Sequence, residues 1–487
     1  MTEGILTINI QKKTLLRLEK WKEKAIARGK KVNNLKKQLS ELRKSRKGWK
    51  EKFKAERLKS ETYKKSFEEN KTSEIVREPV KNHSYDLFTM YLCLRLKEAG
   101  ELSLRSCISV LKVIVEVLGV ALKIPCINSI RNWELKKGLY NLESVCKTGD
   151  EYALLIDESY CIGQQTLLLL LGVNLSSYEF EKGLNFSNTE VLGLAVQPSW
   201  TGEEIALEIE KIQNRSYTIA YCCSDGGGNI VKALRISDIE RVPDCTHYLS
   251  KIIEKEYKNA EIFTSFTSQC ALINRQNYMG KDTGICPPKL KGKSRFLNLY
   301  TLAKWGLKNL TLVQKLASSA PTNPQQRIYN KLKWLIGYQT LIETLNILVK
   351  KIEAISKIIK QKGLSKATIA KVKKMIKEKD TPLFFQQGVA SYLEEASQLL
   401  SKQEKLICCS DIIESHFGKF KNQQKKNPDK GITINCLRIA NYGKPMEKEE
   451  LSKAMQQIKI VDLEKWKDDN NLETFVARKK KLYKSVG

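Results

Sequence analysis

The chain has 487 residues, a hydrophobic share of 41% and a formal net charge of +31, from Lys+Arg 85 against Asp+Glu 54. That length implies two to four domains, and that apolar content excludes a disordered chain. The excess of positive charge points to a polyanionic partner, with nucleic acid ahead of a membrane surface.

The longest apolar region, Val110 to Leu122, is interrupted by Lys112 and Glu116, so no membrane span and no membrane partner are expected. The N-terminus shows no signal-peptide pattern, which places the chain in the cytoplasm, with the nucleoid if DNA is the partner. The 13 cysteines are scattered and form no Cys-x-x-Cys, which argues against a zinc ribbon and a disulfide framework. They read mostly as reduced, buried, small apolar residues.

Residues 1–75 form a basic helical region. Leu18, Trp21, Ala25, Val32, Leu35, Leu39, Leu42, Trp49 and Phe53 fall on one alternating three-four spacing, interrupted by Arg28 and Arg46. The pattern predicts a long helix, as a coiled coil or as a helix packed on its own protein. Residues 71–82 read as a linker around Pro79.

Residues 80–145 are compact and helical. Ser103 suits the cap of a helix through Val117, and Gly119 and Pro125 mark a break. Cys126 to Lys137 reads as a short helix stopped by Gly138. Helix, turn and short helix are compatible with a helix-turn-helix whose second helix offers Arg131, Asn132, Lys136 and Lys137 to DNA. Helix pairs in proteins that bind no DNA have the same look.

Residues 150–258 alternate strand and helix. Short apolar runs bounded by polar residues predict strands near 152–157, 166–173, 190–196 and 217–223, with a fifth at Arg241 to His247. Helices are expected at Glu203 to Gln213, from near Ile230, and at Tyr248 to Tyr257. Residues 259–405 carry almost no strand signal and read as basic-surfaced helices, including Tyr329 to Ile352 and Ala367 to Lys377. Residues 406–445 hold a further helix, and 446–487 a basic helical tail.

Three strands, a helix, a fourth strand, a helix and a fifth strand is the order of an α/β ribonuclease-H-like core with a mixed five-stranded sheet. All-α regions stand before it and inside it. Asp157 closes the first strand and Asp225 the fourth, which lie side by side in this topology, so the two carboxylates converge. Oxygen ligands gathered this way suit Mg²⁺. Three glycines follow Asp225 and let the backbone pass close to a phosphate or metal. Asp157 alone also reads as a turn residue, and Asp225 alone as a helix N-cap.

The blocks Leu154-Leu155-Ile156-Asp157-Glu158, Ser224-Asp225-Gly226-Gly227-Gly228-Asn229, Asp244-Cys245-Thr246-His247 and Asp411-Ile412-Ile413-Glu414-Ser415 with Phe417-Gly418-Lys419 resemble those of DDE transposases of bacterial insertion sequences. The 259–405 stretch resembles the insertion carried by some of them, as in the hAT superfamily. The Cys245-to-His247 block is similar to that superfamily's Cys-x-x-His block, with a different spacing. The resemblance implies a catalytic, metal-binding set of Asp157, Asp225 and Glu414. Asp411, one helical turn before Glu414, is the local rival. It also implies two Mg²⁺ ions, replaceable by Mn²⁺, that serve water attack and then strand transfer by the freed 3′-hydroxyl. Double-stranded DNA, as transposon ends and target, is the implied partner, bound by a homodimer or higher oligomer.

His247 and His416 are auxiliary candidates for positioning water or the scissile phosphate, or else partly buried structural histidines. Lys419 and Lys421 are candidates for phosphate contact. Trp200, Trp305 and Trp334 suit core packing more than stacking on a flipped base. The competing reading is a non-catalytic or domesticated DNA-binding regulator derived from a transposase.

Overall fold

The computed structural model describes residues 77–146, 149–160, 165–276, 285–289, 299–318, 322–425, 432–443 and 445–472. It also describes single positions at 21, 29, 32, 39–41, 46, 49, 50, 54 and 483. Of the predicted heptad positions, Trp21, Val32, Leu39, Arg46 and Trp49 are helical and exposed. Leu18, Ala25, Arg28, Leu35, Leu42 and Phe53 lie outside the described residues.

The chain divides into two compact units. One comprises Met1–Val76 and Ser109–Ile124, the other Arg77–Ile108 and Pro125–Gly487. The stretch expected as one domain at 80–145 is therefore shared between them. In the first unit, the second segment holds the latter part of helix α2 (Leu104–Leu118) and the irregular residues 119–124, which begin with Gly119 at φ +60.

The second unit is built on a mixed five-stranded sheet. Its strands are β1 (Glu151–Tyr160), β2 (Thr166–Asn174), β3 (Glu190–Gln197), β4 (Thr218–Ser224) and β5 (Arg241–Pro243), in the order β3-β2-β1-β4-β5. β1 pairs antiparallel with β2 and parallel with β4, and β4 is parallel to β5. β2 is buried along all but its last residue. Such unbroken apolar runs belong to a sheet covered on both faces, because successive side chains point to opposite sides.

Leu154, Ile156, Leu168 and Leu170 share one face with Ile205, Ile209 and Ile212 of α4 (Gly202–Gln213) and Ile230 and Leu234 of α5 (Gly228–Ile236). Ala153, Leu155, Leu167 and Leu169 share the other with α6 (Cys245–Tyr257), α10 (Gln339–Lys362), α12 (Leu383–Ser397) and α13 (Asp411–Lys425). Each fully buried Leu contributes about 2 kcal/mol, so both layers are strongly held. The helices between residues 259 and 405 also include α7 (Glu261–Gln276), α8 (Leu299–Ala317), α9 (Asn323–Leu332) and α11 (Lys366–Ile376). They share their apolar core with the sheet rather than forming one of their own. No described helix is long and apolar enough to cross a membrane.

Helix α3 (Ile127–Leu142) departs from expectation. Gly138 does not stop it. The helix runs four residues further, because a glycine there admits a neighbouring segment: a Cβ on Gly138 would collide with the carbonyl oxygen of Leu437. Ile130, Trp133, Leu135 and Leu139 are buried, so α3 is a core helix. Gly138→Ala gains roughly 1 kcal/mol of helix propensity. Overpacking against backbone outweighs that gain, so a net loss of about 1–2 kcal/mol is expected. A lower midpoint in thermal unfolding checks it, and an unchanged or higher midpoint contradicts it.

Candidate active site

β1 outruns its parallel neighbour. The last β1–β4 pair is Leu155 with Cys223. β1 continues past Asp157 to Tyr160 along β2 rather than ending at the carboxylate. β4 ends at Ser224 and turns away. Asp157 and Asp225 therefore stand two residues beyond the same pair. By strand parity Asp157 belongs to the face of Ala153 and Leu155, which α6 and α13 cover. Both carboxylates are half-buried. Asp157 Oδ1 accepts the N–H of Glu158 at 2.8 Å, and Asp225 Oδ1 accepts the N–H of Gly227 at 2.8 Å. Gly226, at φ +80, makes the turn that this second bond closes.

Glu414 arrives on α13, whose start is stitched to the sheet and to α6. Tyr221 Oη accepts the N–H of Ile407 at 2.8 Å, and Cys408 O accepts that of Cys245 at 2.8 Å. Asp244 Oδ2 accepts the N–H of Ser410 at 2.6 Å and its hydroxyl at 2.9 Å. Ile413 and Phe417 anchor the buried side of the helix, and Glu414 lies on its exposed side.

Asp157 feels the other two acids. Burial pushes the Asp157 carboxyl up to about 7, and the nearby charges of Asp225 and Glu414 add to the rise, against the Glu158 N–H bond and the charge of His247. Three carboxylates on the rim of a buried sheet are costly unless cations meet them. His247 is one such cation. Asp244 Oδ1 accepts both the N–H of His247, at 2.8 Å, and its Nδ1–H, at 3.1 Å. The bond to Asp244 raises the imidazole to about 9 against its burial, helped by the charges of Asp225 and Glu414.

A histidine raised this far adds stability that is full below about 6.5 and fades as pH rises through about 9. The His247 resonances are expected to titrate near pH 9 by NMR in the wild type. In Asp244→Asn the midpoint should fall below 7. A wild-type midpoint near 6.5 would contradict the Asp244 bond.

Asp244 was not singled out by sequence as a site residue, and it organises this corner. It is 1% exposed. It also caps α6, which starts at Cys245, so the fifth strand stops at Pro243 instead of running to His247. The signal was present: an Asp three residues before His247 at a strand-to-helix turn is an N-cap pattern.

Among the described residues, the one group of three potential ligands whose atoms all lie within 4.8 Å of one another is Asp244, Cys409 and Asp411. Both oxygens of Asp244 are occupied by hydrogen bonds, Asp411 pairs with Lys360, and burial pushes the Cys409 thiol up. This set is already satisfied and reads as structure. Asp157, Asp225 and Glu414 form no such group. Carboxylate oxygens at this corner are of the kind a divalent ion takes.

Other candidates stand elsewhere. His416, two residues after Glu414, is on the opposite side of α13 and fully buried. Its Nδ1–H donates to Ile412 O at 2.9 Å, and its ring lies 4.6 Å from that of Phe186. Burial lowers its pKa, so it is a neutral core residue. Lys419 Nζ lies 5.0 Å from the ring centres of both Phe186 and Tyr442 and 3.2 Å from Glu101. Lys421 is exposed beside Phe417.

On α3, Lys136 and Lys137 are buried instead of facing a groove. Lys136 donates to Met455 O at 3.4 Å, and Lys137 pairs with Glu98. Arg131 Nε donates to Asn435 Oδ1 at 3.3 Å, and Asn132 is half-buried. Asn141 and Asn441 further tie α3 to the 3-10 helix Ile434–Asn441. Trp200, Trp305 and Trp334 pack in the protein, with Trp200 Nε1 donating to Thr166 O at 3.2 Å.

No family model matches the chain, and no curated protein does. Among solved structures it is similar to the Drosophila P element transposase strand transfer complex, at 10% sequence identity and a TM-score of 0.38, over 79% of this chain and 94% of that chain. A likeness this distant carries no weight, and the site stands on its own residues.

Proposed function

We propose that the protein is a DDE-type DNA transposase with a ribonuclease-H-like core, in which Asp157, Asp225 and Glu414 hold two divalent ions. The observation that carries this reading is the Asp157 carboxyl, pushed up to about 7 by burial and further by the charges of Asp225 and Glu414, beside the end of β4. A strongly perturbed acid with other acids nearby is a functional-site candidate. Bound Mg²⁺ or Mn²⁺ would neutralise charge on the entering and leaving oxygens of a phosphodiester.

The chain's own groups supply the rest. Asp157, Asp225 and Glu414 set the ligand positions. His247, held by Asp244, keeps positive charge beside them. The reaction is in-line displacement at phosphorus. Water attacks, the bond from phosphorus to O3′ breaks, and a 3′-hydroxyl and a 5′-phosphate result. The 3′-hydroxyl then attacks a target phosphodiester. Duplex DNA fits the net charge of +31, and pairing two transposon ends calls for at least a dimer on DNA.

One observation favours a non-catalytic DNA-binding reading: the oxygens of the three carboxylates are not gathered within 4.8 Å. Thermal unfolding in millimolar Mg²⁺ or Mn²⁺ separates the two. A metal site raises the midpoint, by an increment that weakens below pH 7 as Asp157 takes up a proton. No shift with either metal favours the non-catalytic protein.

A further inference from the structure

Helix α6 has two faces. Cys245, Leu249, Ser250 and Ile253 are buried against the core. His247, Lys251 and Lys255 follow at four-residue intervals on the opposite face, each about 6 Å further along the axis. The row begins at the acidic cluster, where His247 senses Asp225 and Glu414. It leads away through two exposed lysines.

Among the described residues, neither lysine forms an ion pair with an acid. Lys251 Nζ donates to the main-chain oxygen of Asp225 at 2.7 Å, a neutral acceptor. The described ion pairs of α6 are His247 with Asp244 and Lys258 with Glu254, and neither lysine takes part. A Cβ on Gly226 would lie 3.8 Å from Lys251 Nζ and 3.1 Å from Arg241 Nη1, so both cations flank the turn after the second carboxylate. Arg241 is engaged with Glu395 at 2.8 Å. Lys251 stands at the point where the carboxylates would repel a phosphate.

We propose that this face of α6 is a backbone track, on which Lys251 and Lys255 hold successive phosphates of the DNA strand leading to the bond that is cut. The inference rests on DNA as the substrate. Phosphate contacts fix register and orientation without reading sequence, so the track positions the strand at the carboxylates and leaves choice of site to other residues.

The test is equilibrium binding of the full chain to duplex DNA carrying the gene's native flanks, across a salt series in EDTA. In Lys251→Gln/Lys255→Gln the slope of log affinity against log salt should become shallower by about 1.8, two contacts at about 0.9 each. Affinity at 0.1 M salt should drop roughly tenfold to a hundredfold. Lys251→Arg/Lys255→Arg should restore both. Lys211→Gln, which removes a lysine paired with Glu208 at 2.6 Å on α4, should change neither. A merely structural Lys251 would move the unfolding midpoint and leave the slope alone. An unchanged slope in the glutamine variant, with steep salt dependence in the wild type, overturns the track and leaves the DNA reading intact. A wild type that binds DNA without salt dependence overturns the proposed function itself.

Discussion

Asp157→Asn is expected to abolish metal-dependent DNA cleavage, by roughly 10³-fold or more, while making the metal-free protein more stable. The two effects have one cause. Ionised Asp157 is held among burial and like charge, which is why its carboxyl sits near 7. Because its folded pKa lies above its unfolded one, the stability it lends as a neutral acid is full below about pH 4. That stability is lost as pH rises through about 7. At pH 8 the wild type therefore carries an unfavourable charge, on the order of 3 kcal/mol, that Asn does not. Asn keeps an oxygen to accept the Glu158 N–H, so the gain is not offset by a lost bond. Unfolding midpoints at pH 5 and pH 8 should show the variant's advantage growing with pH. A variant less stable than wild type at pH 8 contradicts the electrostatic account of the site.

Asp244→Ala is expected to act the opposite way, through the fold. This carboxylate is buried and accepts four hydrogen bonds, two from His247 and two from Ser410. Its removal leaves the Ser410 N–H, the Ser410 hydroxyl and a half-buried imidazole ring without their acceptor. Breaking such a pair costs about 3–5 kcal/mol. The loss falls on the junction that seats α13, so cleavage should drop along with stability. Asp244→Asn keeps one acceptor oxygen and should recover part of the stability without restoring the raised His247. Denaturant unfolding of both variants checks this, and a cost under about 1 kcal/mol for alanine would show that Asp244 does not hold the corner together.

The sheet was legible because its strands are apolar runs bounded by polar residues, although β1 runs on past Asp157 to Tyr160. That Asp157 and Asp225 both stand two residues beyond the last β1–β4 pair followed from those strands lying side by side. What periodicity could not give was which polar residues face inward. Lys136 and Lys137 have the look of a groove-reading helix, yet α3 is wrapped by α1 (Leu87–Ala99), α14 (Lys448–Gln457) and α15 (Ile460–Asp469), and their ammonium groups serve partners up to 319 residues away in sequence. Gly138 read as a stop because a local pattern does not contain the Leu437 carbonyl that needs its missing Cβ. His416 read as a site residue from its nearness to Glu414 in sequence, whereas a two-residue step on a helix turns it to the buried side. Asp244 was hidden because its partner Ser410 returns from the far end of the helical stretch.

The central claim is that Asp157 and Asp225 at the sheet and Glu414 on α13 cut DNA with divalent ions. Its most direct measurement is strand cleavage of DNA carrying the gene's native flanks, with Mg²⁺, Mn²⁺ or EDTA, by wild type and by Asp157→Asn, Asp225→Asn and Glu414→Gln. The account predicts nicks that leave a 3′-hydroxyl, that require either metal, and that disappear in each variant while DNA binding persists. Tight binding with no cleavage in either metal, or cleavage that survives all three substitutions, would contradict it.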